Sequence, residues 1–352
     1  MALARSGELL AVLGDCLLTQ VDAAEVDSVC DAASRPGAGL VLVGQDALTK
    51  ATELAGTGFG SPMLADRRRY AGKKRIRGTA RFQPQWIWAQ EQLGLAAILT
   101  DSGYIGDGDH EALESVLTQS ARLGPRAVAS LPLHSSWIER KQSQERLAAA
   151  IRDTGVPVAF IFEHADDPLA KKAALFGFVK VLTTVSVPVM VLSCDVSALG
   201  AIAFGAHTAA VGTRSGLRHL YPPRAGGPPT DDAESAFLPD FLAFMKVGKI
   251  AQAVAASPND PKWICWCRSC HGRRLDWLLA ATRLEVRLHS IELLADLRDR
   301  LTEITPGPVR EQTWRAWCAS AQFEHDSLAA SKIYWNAPSA IRRWQEVEAS
   351  ER

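Results

Sequence analysis

The sequence predicts an α/β fold, a (β/α)8 barrel of the TIM type followed by a cysteine-rich segment and C-terminal helices. Seven short apolar runs have the length and flanking residues of buried strands: 39–44, 61–66, 96–101, 127–133, 157–162, 188–193 and 208–213. Helical segments alternate with most of these runs, which is typical of parallel βαβ units. A closed barrel has eight strands, so we expect one strand that the pattern does not reveal, or one degenerate unit.

Composition and turn residues divide the chain into three predicted parts. Residues 1–36 are predicted to form a helical preface, residues 37–255 the barrel, and residues 256–352 the cysteine-rich segment with C-terminal helices. Pro and Gly are frequent between Tyr221 and Asp232, which marks a boundary or a loop. The apolar segment from Phe237 to Ala255 is predicted to be a helix.

The composition is that of a soluble globular protein. Of 352 residues, 47% are hydrophobic and 22% charged, and 39 basic residues balance 39 acidic ones. Net charge therefore indicates no nucleic-acid partner, and any such surface must come from a local patch. We expect no signal peptide and no membrane helix, since no apolar run approaches ~18 residues. An odd cysteine count of seven fits a reducing cytoplasm.

Three of the seven cysteines lie within six positions, at Cys265, Cys267 and Cys270. Three thiolates and one imidazole make a closed tetrahedral zinc site of the structural kind. His289 lies in a segment with helical character and is the predicted fourth ligand, whereas His271 is too close to Cys270 to complete the tetrahedron. The alternative is a chance cluster of buried or free thiols.

A basic segment follows the second strand candidate. Eight of the fifteen residues from Arg67 to Arg81 are Arg or Lys, and Gly72 and Gly78 interrupt the segment, which favours a loop over a helix. A basic loop after a strand is well placed to hold phosphates. The alternative is a solvated charged loop.

A carboxylate follows the third strand candidate. The apolar residues from Ala96 to Leu99 lead into Thr100 and Asp101, with Gly103 two residues further on. Barrel enzymes and open α/β enzymes place catalytic groups at such strand ends. Asp101 is therefore a candidate active-site acid, and a loop cap is the alternative.

Three segments, taken in order, resemble the tRNA-guanine transglycosylase family. Residues 98–103, Ile-Leu-Thr-Asp-Ser-Gly, are similar to the ILTDSGG signature of that family. Residues 211–214, Val-Gly-Thr-Arg, resemble the end of a late barrel strand that finishes in Pro-Thr-Arg. The cysteine motif at 265–270, with Leu288-His289 downstream, looks like the zinc site of the family.

The resemblance implies a zinc-bearing barrel that exchanges a guanine base in a nucleic acid for a 7-deazaguanine. In that reaction a carboxylate attacks C1′ of the sugar, guanine leaves, and the incoming base displaces the enzyme. Asp101 matches the family aspartate that serves as general base toward the incoming base. Ser102, Gly103 and Tyr104 are predicted to contact the substrate, with Tyr104 placed to stack on the base. Arg214 matches the arginine of the Thr-Arg pair.

Other positions depart from the family pattern. Thr208 stands where the family has its nucleophilic aspartate, and threonine is a poor nucleophile without a base. Asp195, at the end of the preceding strand candidate, is the nearest replacement. His134 and Glu163 stand in two segments that read the base in the family, and we expect them to bind substrate here. These mismatches favour the branch that inserts 7-deazaguanine into DNA over the tRNA enzymes.

The expected partners are DNA or tRNA and a 7-deazaguanine base, without a membrane. A homodimer or partner proteins of a modification system are further expectations. Two alternatives stay open. One is a catalytically inactive, zinc-stabilised barrel that binds nucleic acid or a protein, which the threonine at 208 favours. The other is a hydrolase that releases a base without replacing it.

Overall fold

The predicted barrel is present in the N-terminal part of the chain. A computed structural model describes residues 10–223, 234–330 and 337–348. The chain divides into two compact units, Met1–Pro228 and Pro229–Arg352. The first unit carries the barrel, and the second carries the cysteine motif and the C-terminal helices.

Eight parallel strands make up the barrel sheet: β1 Cys16–Asp22, β2 Ala38–Val43, β3 Met63–Asp66, β4 Ile98–Leu99, β5 Ala127–His134, β6 Val158–Glu163, β7 Val189–Cys194 and β8 Thr208–Gly212. Their order in the sheet is β3-β2-β1-β8-β7-β6-β5-β4. The N–H of Ala96, just before β4, donates to the carbonyl of Met63 in β3 at 3.2 Å. The barrel is thus nearly closed.

Helices follow most of the barrel strands: α1 Cys30–Ala33, α2 Ala47–Gly56, α3 Pro84–Gln92, α4 His110–Ala121, α5 Ser136–Glu139, α6 Lys141–Thr154, α7 Lys172–Thr184 and α8 Ser197–Ala203. They bury their apolar faces, as α6 does with Leu147, Ala148 and Ile151. Gly155 ends α6 in the left-handed conformation (φ 65°), the usual helix terminator.

The strand that the pattern did not reveal is β1, which lies inside the predicted helical preface. It pairs with β2 on one side and β8 on the other, so residues 16–22 of the predicted preface belong to the barrel. All its residues except Asp22 are buried. The polar residues Thr19 and Gln20 interrupt its apolar run, so it lacks the pattern that marks a buried strand.

The interior of the barrel is filled by inward-facing apolar side chains. Several are small, including Ala97, Ala159 and Ala210, which leaves room for the larger Met190 and Leu99. Tyr70, Tyr104, Leu217 and Leu220 join the same cluster from loops that follow strands. The centre of the barrel is therefore a packed core, and chemistry is confined to its ends.

The second unit begins with a hairpin where a helix was predicted. Its elements are β9 Ser235–Leu238, β10 Ala243–Lys246, α9 Val247–Ala256, β11 Ile264–Cys265, β12 Arg273–Arg274, α10 Arg283–Thr302, α11 Pro308–Ala330 and α12 Ser339–Gln345. Pro239 opens a single 3-10 turn and Leu242 adopts a positive φ of 43°, which reverses the chain between β9 and β10. The boundary predicted at 255 therefore differs from the observed division near 228.

The helices show no membrane-spanning candidate. Within residues 10–223, 234–330 and 337–348, none is both long enough and apolar enough to cross a bilayer.

Candidate active site and metal centre

The predicted catalytic and substrate-binding residues lie at or near the carboxyl ends of barrel strands. They include Asp101 after β4, His134 ending β5, Glu163 ending β6, Asp195 after β7 and Arg214 after β8. We call this end of the barrel the mouth. In (β/α)8 enzymes the active site is built here, from residues carried by several strands.

Asp101 is a buried carboxylate held by donors from the basic loop. The residue is 3% exposed. Its Oδ2 accepts a hydrogen bond from Nη1 of Arg69 at 2.6 Å, and Nη1 of Arg67 lies 3.7 Å away. The backbone N–H of Gln83 donates to Oδ1 at 3.1 Å. Burial raises the pKa of Asp101, and these donors oppose the rise only in part.

Glu163 forms an ion pair with a second arginine of the same loop. Arg75 forms an ion pair with Oε2 of Glu163, and the hydroxyl of Tyr104 donates to Oε1. The guanidinium carbon of Arg75 also lies 3.6 Å from the ring centre of Tyr104, a cation–π contact. The ring face on which a base was predicted to stack is therefore covered by Arg75.

Position 103 requires a glycine because the backbone of the basic loop lies too close for a Cβ. A Cβ at this position would lie 2.2 Å from the carbonyl oxygen of Arg77 and 2.8 Å from that of Ile76. Tyr104 links the segment around Gly103 to the basic loop. Its N–H donates to the carbonyl of Ile76, and its carbonyl accepts from the N–H of Gly78, each at 2.8 Å. Gly103 thus permits the close approach of the basic loop. Ser102 is buried beside it.

The basic loop closes over the mouth through its arginines. Besides Arg69 and Arg75, Nη2 of Arg68 donates to the carbonyl of Gly216 at 2.7 Å. The loop starts from Asp66, whose Oδ2 accepts from the hydroxyl of Tyr70 at 2.5 Å and whose Oδ1 accepts from the N–H of Arg68. The arginines predicted to hold phosphates therefore contact carboxylates and carbonyls of the barrel.

Asp195 faces a different set of partners from Asp101. The sheet order places β7 three positions from β4. Oδ1 of Asp195 accepts from the N–H of Ser197 at 2.9 Å. Asp167, in the loop after β6, accepts from the N–H of Leu169 through Oδ1, and its buried Oδ2 has no hydrogen-bond partner among the described residues. Burial and the neighbouring charge of Asp195 raise the pKa of Asp167 to about 8.

The remaining predicted site residues have local partners. Nδ1 of His134 lies 2.9 Å from the hydroxyl of Ser136. Arg214 forms an ion pair with Asp22, the last residue of β1. Thr208 lies at the first position of β8, the end opposite the mouth, and its hydroxyl donates to the carbonyl of Leu13. Thr208 therefore has a structural role in this chain.

The predicted metal ligands converge in the second unit. Cys265, Cys267, Cys270 and His289 are buried, and their ligand atoms all lie within 4.8 Å of one another. Nδ1 of His289 is 3.6, 3.4 and 3.2 Å from the three sulfurs in turn. Tetrahedral coordination of a small metal ion puts sulfur and nitrogen ligands about 3.5 Å apart. The donor set and its spacing therefore fit a metal ion.

Helix α10 delivers His289, and its neighbours orient the imidazole. The helix begins with a capping box, in which Thr282 and Glu285 satisfy each other's backbone N–H groups. Nε2 of His289 lies 3.0 Å from the carbonyl of Phe237, which leaves Nδ1 to face the sulfurs. The indole N–H of Trp277 donates to the sulfur of Cys270 at 3.3 Å.

No family model matches the chain, and no curated protein matches it in sequence. Among solved structures, it is similar to a thiamine phosphate pyrophosphorylase from Pyrococcus furiosus, at 12% identity and a TM-score of 0.33. That match covers 57% of this chain and 87% of the other.

The sequence alone did not predict two acids and one ion pair at the mouth. Asp66 had a visible signal, since an acid ends its apolar run just as Asp101 follows another. The pairing of Arg69 with Asp101 spans 32 positions and had no local signal. Asp167 follows β6 without a catalytic motif around it, and its proximity to Asp195 depends on the packing of two neighbouring barrel loops.

Proposed function

We propose that this chain is a transglycosylase that exchanges guanine for a 7-deazaguanine base in a nucleic acid, with DNA favoured over tRNA. The observation that carries the proposal is Asp101, a buried carboxylate at the mouth within a motif similar to the ILTDSGG signature. Burial raises its pKa, and a raised pKa suits a carboxylate that must take a proton.

The reaction would proceed by two displacements at C1′ of the sugar. A carboxylate of the enzyme forms a bond to C1′ while the bond from C1′ to N9 of guanine breaks. The incoming base then loses its N9 proton to Asp101, and N9 displaces the carboxylate from C1′. The leaving guanine takes up a proton at N9, which Asp101 would supply before it accepts the N9 proton of the incoming base, so no further reactant is needed.

Asp195 remains the proposed nucleophile. It follows β7 at the mouth and stands three strands from Asp101, so a nucleoside between them would span the mouth. Burial raises the pKa of Asp167 to about 8 and also raises the pKa of Asp195, so the two neighbouring carboxyl groups bind protons as a pair. With one proton held by the pair, the other carboxyl can carry the charge that a nucleophile requires.

The arginines of the basic loop would couple substrate entry to catalysis. Arg69 and Arg75 neutralise Asp101 and Glu163 in the free protein. Phosphate is a strong bidentate partner for arginine. A substrate phosphate that takes Arg69 would leave Asp101 free to accept a proton, and one that takes Arg75 would uncover the ring of Tyr104.

The metal proposed for the second unit is zinc, in a structural role. All four ligands come from the protein, which leaves no coordination position for a substrate. The ion would link β11, the turn after it and α10. A cytoplasmic location, and a homodimer or partner proteins of a modification system, belong to the same proposal.

The test is mass spectrometry of nucleosides from DNA and from tRNA of cells with and without the gene. A 7-deazaguanine nucleoside should disappear from one polymer when the gene is lost. Asp101→Asn should fail to restore it, because losing a general base costs ~10²-fold or more. Asp195→Asn should prevent any covalent adduct with the nucleic acid.

Asp107→Asn is the matched control for both substitutions. Asp107 also follows β4, but its side chain is 43% exposed and pairs with Arg140 on the surface. This variant should exchange bases like the wild type. Unchanged nucleosides in both polymers after gene loss would reject the proposal, and full activity of Asp195→Asn would reject that residue as nucleophile.

A catalytically inactive barrel that binds nucleic acid is the second candidate. Its support is Thr208, which lies at the end of β8 opposite the mouth and so offers no nucleophile there. Its hydroxyl donates a hydrogen bond to the carbonyl of Leu13. The arginines paired with Asp101 and Glu163 are also compatible with a site that only binds. Nucleic-acid binding without base exchange by purified protein would favour this candidate.

A further inference from the structure

The second unit presents an exposed tryptophan between two metal ligands. Trp266 stands between Cys265 and Cys267 and is 81% exposed. Along β11 and the turn that follows it, side chains alternate, so that the two cysteines point inward while Ile264 and Trp266 point outward. The metal-ligating cysteines thus force this indole onto the surface.

Gly272 supports one face of the Trp266 ring. A Cβ at Gly272 would lie 2.7, 2.9 and 3.1 Å from three consecutive atoms of the six-membered ring. Nearly equal distances to consecutive atoms place the glycine over the ring face. Gly272 is itself held by a hydrogen bond from its N–H to the carbonyl of Cys265 at 2.9 Å. The indole is therefore braced on one side and open to solvent on the other.

Basic residues flank Trp266 in the sequence, and the carboxylate of Glu292 accepts hydrogen bonds from the backbone N–H of Arg268. Residues 261–275 contain four Lys or Arg residues and no acid. Arg268 and Arg274 are exposed. Among the described residues, Arg274 pairs with Asp276, and the two side chains are 46% and 34% exposed. Such surface pairs contribute little stability, so the Arg274 guanidinium can exchange Asp276 for an anionic partner with little loss.

We propose that Trp266 and its neighbouring arginines form a stacking platform for a single-stranded nucleic acid. A base would lie on the open face of Trp266, and Arg268 and Arg274 would contact the adjoining phosphates. Flat aromatic rings beside a positive surface are the usual means of binding unpaired bases. The inference goes beyond base exchange at the barrel mouth, because the platform needs only residues of the second unit.

A nucleic acid explains this surface better than a second copy of the chain. A stable protein interface needs a broad apolar centre. Here the outward face of β11 offers one aromatic ring and Ile264, with arginines at the border. A single ring braced on one face fits one base, and the cations fit its backbone.

The test uses the full chain with its metal retained and a fluorescein-labelled oligothymidine of about 12 nucleotides, a length within one binding site of this kind. Fluorescence anisotropy measures the dissociation constant at several salt concentrations. Trp266→Ala should weaken binding roughly tenfold, because one stacking contact is lost. Trp266→Phe should restore most of the affinity. Arg268→Ala with Arg274→Ala should lower the salt slope by about 1.4.

Phe323→Ala is the matched control, since Phe323 is an aromatic of the same unit that is 68% exposed on α11. It should bind like the wild type. Wild-type affinity of Trp266→Ala would overturn the platform, and so would a loss caused equally by Trp266→Phe and Trp266→Ala. A change of oligomeric state in Trp266→Ala, seen by light scattering, would assign the surface to self-association. None of these outcomes depends on base exchange, which the nucleoside measurement reports separately.

Discussion

Removing the guanidinium of Arg69 should destabilise the barrel in a pH-dependent way. Arg69→Met keeps most of the side-chain length and deletes the donor that lies 2.6 Å from Asp101. The carboxylate keeps the N–H of Gln83 and the more distant Arg67, at 3.7 Å. Hydrogen bonds to charged groups contribute about 1.5–3 kcal/mol, so we expect a loss of about 2 kcal/mol. That is roughly a 30-fold change in the folding equilibrium.

The sign of the pH dependence follows from the pKa of Asp101. Burial raises this pKa above its usual 3.8, and Arg69 opposes the rise, so the variant has the higher pKa. A carboxyl group whose pKa is raised by folding loses stability as pH increases from the unfolded pKa through the folded one. The two proteins should therefore differ little near pH 4. The deficit of Arg69→Met should grow above that pH.

Urea denaturation followed by tryptophan fluorescence at several pH values measures this difference. Arg77→Met is the matched control from the same loop, because the Arg77 side chain is 55% exposed and its partners Asp109 and Glu111 are 15% and 72% exposed. Exposed pairs contribute about 0–1 kcal/mol. An equal cost for both variants, or a cost of Arg69→Met that does not vary with pH, would refute the assigned role of Arg69.

Three further outcomes follow from the structure. Cys267→Ser, or removal of the metal by a chelator, should unfold the second unit, with hydrogen exchange showing loss of protection there and retained protection in β5–β8. Asp167→Asn should stabilise the protein near pH 8 and flatten its stability between pH 4 and 8 in thermal melts, because burial raises the pKa of Asp167 to about 8. Gly103→Ala should cost about 1–3 kcal/mol in urea unfolding, since its Cβ would meet the carbonyl of Arg77 at 2.2 Å. Gly106→Ala should be tolerated, because its Cβ would have its nearest neighbour at 3.8 Å, an ordinary contact distance.

The barrel could be predicted from local patterns, because buried strands appear as short apolar runs and the helices between them have helical spacing of apolar residues. All seven apolar runs became strands β2 to β8, with small shifts at their ends. The cluster of possible metal ligands could also be predicted, because three cysteines within six positions and His289 on a helix make a chemically recognisable donor set. In both cases the signal lies within about 25 consecutive residues.

Two elements, strand β1 and the hairpin of β9 and β10, could not be predicted from local patterns. In strand β1 the polar residues Thr19 and Gln20 interrupt the apolar residues, so the segment does not show the apolar run of a buried strand and a helical preface is predicted there. The hairpin of β9 and β10 is apolar and short, and only its tertiary packing distinguishes it from the first turns of the helix that follows. Periodicity decides neither case.

The sequence by itself determined which chemical groups the chain carries: a carboxylate after a buried strand, a run of arginines, and a thiolate and imidazole cluster. Only the tertiary structure decided which groups meet. It pairs Arg69 with Asp101 across 32 positions and Arg75 with Glu163 across 88. Barrel closure brings separate strand ends to one mouth, and the contact between Gly103 and Arg77 sets the path of the loop that covers it. Such pairings depend on distances in space, which a linear pattern of residues does not contain.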